Sequence, residues 1–147
     1  MTYRERAENL FKEGYNCSQS VFAAFAPDFG MSFEDAVKFS SGLGGGVGRL
    51  REVCGAVTGM ALVLSLKYGE YDPKDHEAKM SLYSKIQFVA EEFRKVNGAI
   101  VCRELLGNNE HSPVPSPRND EFFHKRPCVQ MVGSAAEILE KFFRDND

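Results

Sequence analysis

Apolar residues recur at intervals of three and four along nearly all of this sequence, and no stretch alternates convincingly at intervals of two. That pattern limits the fold more than any other property of the chain. Without strand signals there is no sheet to pack on, so helix faces must bury one another. Thr2-Tyr3-Arg4-Glu5 reads as a capping box, with Tyr3, Ala7 and Leu10 on one face of the helix that follows and Gly14 at its end. Asn16 and Gln19 form the same device for a second helix beginning at Cys17, which Pro27 stops. Ser32 opens a third. An apolar helix is expected from about Val53 to Tyr68, after a glycine cluster at Gly42, Gly44, Gly45, Gly46 and Gly48.

Asp72-Pro73 reads as a cap and first turn for a long helix whose seam is Leu82, Ile86, Val89, Phe93 and Val96. A short helix from about Ala99 to Leu106 is expected next, then a proline-rich irregular loop from Gly107 to Pro127, then a last helix from about Cys128 to Phe143. The expected architecture is all-α: one domain over residues 1–147, a bundle of about six or seven helices.

Composition narrows the function by exclusion. A net charge of -3 leaves no basic excess for nucleic acid or an acidic membrane. The first ten residues are charged and lack the apolar centre of a signal peptide, and the longest apolar run, from Val53 to Leu66, is too short to cross a bilayer. A cytoplasmic location is therefore expected. Thiols there are kept reduced, so stable structural disulfides are not. His76, His111 and His124 share no spacing and read as surface residues. The glycine cluster matches neither phosphate-binding pattern, GxGxxG or GxxxxGK[ST], and reads as a flexible turn.

What remains is a set of four cysteines, Cys17, Cys54, Cys102 and Cys128, with no CxxC pair among them. Each falls at an expected helix start, where unpaired backbone N–H groups and the positive end of the helix dipole favour a thiolate. Arg49 and Arg51 precede Cys54, and Lys125 and Arg126 precede Cys128, pushing the same way. Any one of these cysteines alone would read as a small buried hydrophobe; four in one kind of position read as chemistry. Gly55 and Gly59 stand one turn apart in an apolar helix, where glycine costs about 1 kcal/mol relative to alanine. A close backbone approach would offset that cost, either by a neighbouring helix or by a bulky cofactor held at Cys54, Gly55, Ala56 and Gly59.

These residues resemble the four-cysteine C_GCAxxG_C_C family of redox-active proteins. The likeness rests on Asn16-Cys17-Ser18-Gln19, the glycine cluster with Cys54-Gly55-Ala56-Val57-Thr58-Gly59, Cys102-Arg103-Glu104-Leu105-Leu106-Gly107, and Cys128, in that order. The chain is similar also to the non-haem part of split-Soret cytochromes, where an iron–sulfur centre has been proposed. It has no CxxCH, so covalent haem is not implied.

Two chemistries follow, and the sequence leaves both open. One is thiol–disulfide exchange, with Cys54 as the expected attacking thiolate and a resolving cysteine that spacing does not name. The other is an iron–sulfur cluster ligated by Cys17, Cys54, Cys102 and Cys128. Either makes the chain an oxidoreductase or electron carrier with a redox partner protein, and the long seam suggests a homodimer. Structural zinc is disfavoured for want of local ligand pairs. The non-redox alternative is a helical module that passes or stores a soft metal ion for a transporter or partner protein.

Overall fold

The computed structural model describes residues 1–146, without the side chains of His124 and Lys125. It is all-helical. Among the described residues there are eight α-helices: α1 (Tyr3–Lys12), α2 (Cys17–Phe25), α3 (Phe33–Ser40), α4 (Gly55–Tyr68), α5 (His76–Asn97), α6 (Cys102–Leu106), α7 (Asp120–Lys125) and α8 (Cys128–Asn146). Short 3-10 turns cover Ala26–Phe29 and Ser41–Leu43. Both expected capping boxes form: Thr2 with Glu5, and Asn16 with Gln19. The Ser32 side chain caps α3. Pro27 ends α2 and sits in the 3-10 turn that follows.

α8 lies across α1, α2, α4 and α5, and α2 packs on α1 and α4. Phe11, Phe25, Phe93, Met60, Leu64 and Leu139 are buried where these helices meet. The α2–α4 crossing explains the two helix-interior glycines. A Cβ on Gly55 would stand 2.9 Å from the Ser18 amide nitrogen, and one on Gly59 would stand 2.8 Å from the Val21 Cβ. Close helix packing, the plainer of the two explanations, therefore accounts for Gly59 entirely. Of the α5 seam, Leu82, Val89 and Phe93 are buried in the molecule's own bundle, whereas Val96 is exposed. No helix among the described residues is long and apolar enough to cross a membrane.

Three boundaries differ from the sequence reading. α5 is capped by Asp75, whose side chain accepts the Ala78 N–H at 3.0 Å. Asp72 instead accepts the Lys74 N–H at 2.8 Å, closing a turn around Pro73 before the helix begins. The proline-rich stretch contains α7, capped by Asn119. The helical pattern before Cys102 yields to an extended pairing: Val53 and Val101 form an antiparallel bridge, with Cys54 N–H donating to Ile100 O at 2.8 Å and Cys102 N–H to Glu52 O at 2.6 Å. Pairing takes precedence there because it satisfies backbone groups of two loops at once.

Candidate functional site

The same pairing fixes two of the four cysteines side by side. Cys54 is the N-cap of α4 and Cys102 the first residue of α6, so the bridge between Val53 and Val101 sets both helix starts together. Cys17 and Cys128 are the first residues of α2 and α8, neighbours in the bundle. All four cysteines line one cavity of about 430 Å³. Gly55 lines it too, but Ala56 and Gly59 do not: Ala56 is fully buried in the core and Gly59 abuts α2. All four thiols are free, and Cys54, Cys102 and Cys128 are buried.

Arginines share the cavity lining with the thiols. The glycine-rich segment winds left-handed, with positive φ at Gly45, Gly46, Val47, Gly48, Arg49 and Arg51. It is closed by backbone bonds, Gly48 N–H to Gly42 O at 2.8 Å and Glu52 N–H to Gly46 O at 3.0 Å, and so is a built turn. That turn places Arg49 and Arg51 in the cavity lining. Arg49 ion-pairs with Glu110 at 3.0 Å. Arg51 is 1% exposed; its Nε donates to Glu110 O at 2.9 Å and its Nη1 to Cys102 Sγ at 3.7 Å. Its buried Nη2 has no hydrogen-bond partner among the described residues. Arg118 donates to Phe11 O at 2.8 Å and Tyr15 O at 3.1 Å, and Arg126 to Ser116 Oγ at 3.0 Å. Arg118 and Arg126 also lie over the Phe122 ring. Both line the cavity.

Position at a helix start does not give Cys17, Cys54 and Cys128 the same acidity. Burial pushes the Cys54 pKa up to about 12, outweighing the Ala56 and Val57 amides, which lower it as the helix-start argument requires. Burial therefore weighs against the expectation that Cys54 is the attacking thiolate. Arg51, placed beside it by sequence, turns to Cys102 instead. The Cys17 thiol is pushed well up, first by its hydrogen bond to Cys128 and then by burial. Cys128 is held below the ordinary thiol value, first by accepting that bond and then, against burial, by Arg126, Arg118 and Arg51. The pair is thus pulled apart, Cys128 toward the thiolate and Cys17 toward the thiol.

Arg118 escaped the sequence reading altogether. Its only signal was a lone cation among prolines, and its place follows from packing on Phe11, distant in the chain, as well as on nearby Phe122. His76 and His111 are exposed, as expected. The side chains of His124 and Lys125, the latter expected near Cys128, lie outside the described residues. No group of three or more His, Cys, Asp or Glu among the described residues could hold a metal ion as it stands.

A family model described as "Putative redox-active protein (C_GCAxxG_C_C)" matches residues 15–142. An uncharacterized protein of Archaeoglobus fulgidus is similar, 27% identical over 149 residues that take in 97% of this chain and 93% of the relative. No solved structure matches the chain.

Proposed function

We propose, from the premise that the chain belongs to the C_GCAxxG_C_C family of redox-active proteins, that it works by thiol–disulfide exchange with Cys128 and Cys17 as the exchanging pair. What supports this is the meeting of two thiols at one cavity from the starts of the neighbouring helices α2 and α8, with the Cys128 pKa drawn down and the Cys17 pKa pushed up. The Cys128 thiolate attacks one sulfur of a disulfide R–S–S–R, forming a mixed disulfide and expelling the first thiolate, which takes a proton. Cys17 then gives up its proton and attacks Cys128 Sγ, closing the Cys17–Cys128 disulfide and expelling the second. The protein dithiol loses two electrons and two protons, and the substrate becomes two thiols. The Cys54 thiol, whose pKa burial pushes up to about 12, stays out of the first step. A dithiol donor of the cytoplasm would reset the pair, and the whole chain acts as one domain.

Reduced protein mixed with excess small disulfide tests this by the thiol released. The native chain is expected to release two equivalents, Cys17→Ser to stop at the mixed disulfide after one, and Cys128→Ser to release almost none at neutral pH. Equal release from the native chain and Cys128→Ser would refute the assignment.

The iron–sulfur cluster is the second reading, favoured by the donor chemistry. Four thiols surround one cavity with cations on its wall, and the orphaned Arg51 Nη2 suits an anionic group. Cys17, Cys54, Cys102 and Cys128 would hold it, and it would supply one-electron transfer. The thiols are not drawn into a metal-holding group as they stand, which places this reading second. Colour in protein purified without oxygen, with matching iron and acid-labile sulfide, would bring it first. Binding of a soft metal ion by the same thiols, without a reversible redox couple, is the outcome that would favour a metal-passing module. On α5, Met80, Tyr83, Phe88 and Val96 are exposed, which supports the homodimer; sedimentation tests it.

A further inference from the structure

Buried charge without a counter-charge is expensive, and proteins avoid it unless something else supplies the partner. Here the chain is acidic overall, yet Arg51 is buried at a cavity that the exposed Arg118 and half-buried Arg126 also line, and the hydrogen bonds of all three run to backbone carbonyls, a serine hydroxyl and a thiol. The nearby carboxylate, Glu110, is occupied by Arg49 and by the Ser112 N–H at 2.6 Å. Arg51 is 1% exposed and keeps one buried nitrogen, Nη2, with no acceptor. Leaving such a donor unmade costs more than an ordinary hydrogen bond gains. The positive φ of Arg51 adds backbone strain, which persists only where the surroundings enforce it. Strain, charge and an open donor thus meet at one residue, which touches Cys102 in a cavity it shares with Cys17 and Cys128.

We infer that the cavity takes a small disulfide or thiol bearing a carboxylate, with the carboxylate accepting from Arg51 Nη2 while the sulfur meets Cys128. This rests on the exchange reading above and names its substrate class. The volume, about 430 Å³, suits a compact molecule. A carboxylate supplies both the missing acceptor and the counter-charge. A protein disulfide would have to enter a space lined by Phe11, Leu105, Leu106 and Met131 as well, and its peptide backbone carries no such charge.

Three disulfides of one length and different charge test the inference: 3,3′-dithiodipropionate, 2-hydroxyethyl disulfide and cystamine. Oxidation of the reduced protein is followed by thiol loss at physiological ionic strength. The dianion is expected to react about tenfold faster than the neutral compound, the worth of one charge-assisted hydrogen bond, and the dication slowest. Suberate, the carbon analogue of the dianion, should slow the reaction, and 1,8-octanediol at equal concentration should not. In Arg51→Gln the ratio of dianion to neutral rates should fall toward one, a ratio that cancels any general loss of reactivity. Should that variant fail to fold, the charge series and the suberate competition on the native chain decide alone. Equal rates for all three disulfides, with no effect of suberate, overturn the carboxylate inference and leave the exchange reading standing. No reaction with any of the three overturns both.

Discussion

Cys54 and Cys128 stand at equivalent places, each at the start of a long helix with an arginine close before it in sequence, yet their thiols are pulled in opposite directions. The difference is in the neighbours. Burial dominates at Cys54, where the Ala56 and Val57 amides do not offset it, whereas Cys128 is drawn down beside Cys17 and by Arg126, Arg118 and Arg51. Thiolate reactivity follows the deprotonated fraction, so Cys128, held low, reacts at a pH where Cys54 does not. Alkylation of the reduced native protein between about pH 6 and pH 8, below the ordinary thiol value, should label Cys128 ahead of Cys54, read by peptide mass spectrometry. Labelling of Cys54 ahead of Cys128 would show that burial is not controlling. Arg126→Met should shift the Cys128 labelling profile to higher pH, because a cation that favours the thiolate is lost.

Between α2 and α4 the spacing is set by glycine. Gly59→Val would drive a branched side chain into Val21 and the Ser18 carbonyl, and overpacking of this kind costs about 1–3 kcal/mol. The urea midpoint should fall accordingly; an unchanged midpoint would mean the helices are free to separate. The left-handed turn offers the opposite case. Val47 is β-branched, holds φ at 67° and is 38% exposed. Val47→Gly should therefore stabilise the fold by about 1 kcal/mol, the penalty a non-glycine residue pays there. At this scale the sequence was readable where the signal is local. Thr2, Asn16 and Ser32 cap the helices they were expected to cap, because a side chain bonding its own next turn needs no distant partner. The start of α6 was not, because Val101 pairs with Val53 across the chain and period alone cannot register that.

Across the whole molecule, the candidate site is made by convergence. Cys17 arrives on α2, Cys54 and Cys102 on the paired loops, Cys128 on α8, and the cations on a glycine turn and a proline-rich segment. The sequence could name the cysteines from their shared placement, but not which two would touch, since that depends on α2 and α8 being neighbours in the bundle. Nor could it show that Arg51 would turn to Cys102, or that Arg118 would join the wall. The central claim is that Cys17 and Cys128 form one reversible two-electron couple. It is tested most directly by equilibrating the protein in dithiol–disulfide buffers of graded potential, quenching with acid and alkylating, and mapping the linked cysteines by mass spectrometry. The expected result is a Cys17–Cys128 disulfide appearing over a single transition with a slope of about 30 mV per tenfold change in ratio, Cys54 and Cys102 remaining thiols. A different pairing, or four thiols still free in the most oxidising buffer, would contradict it.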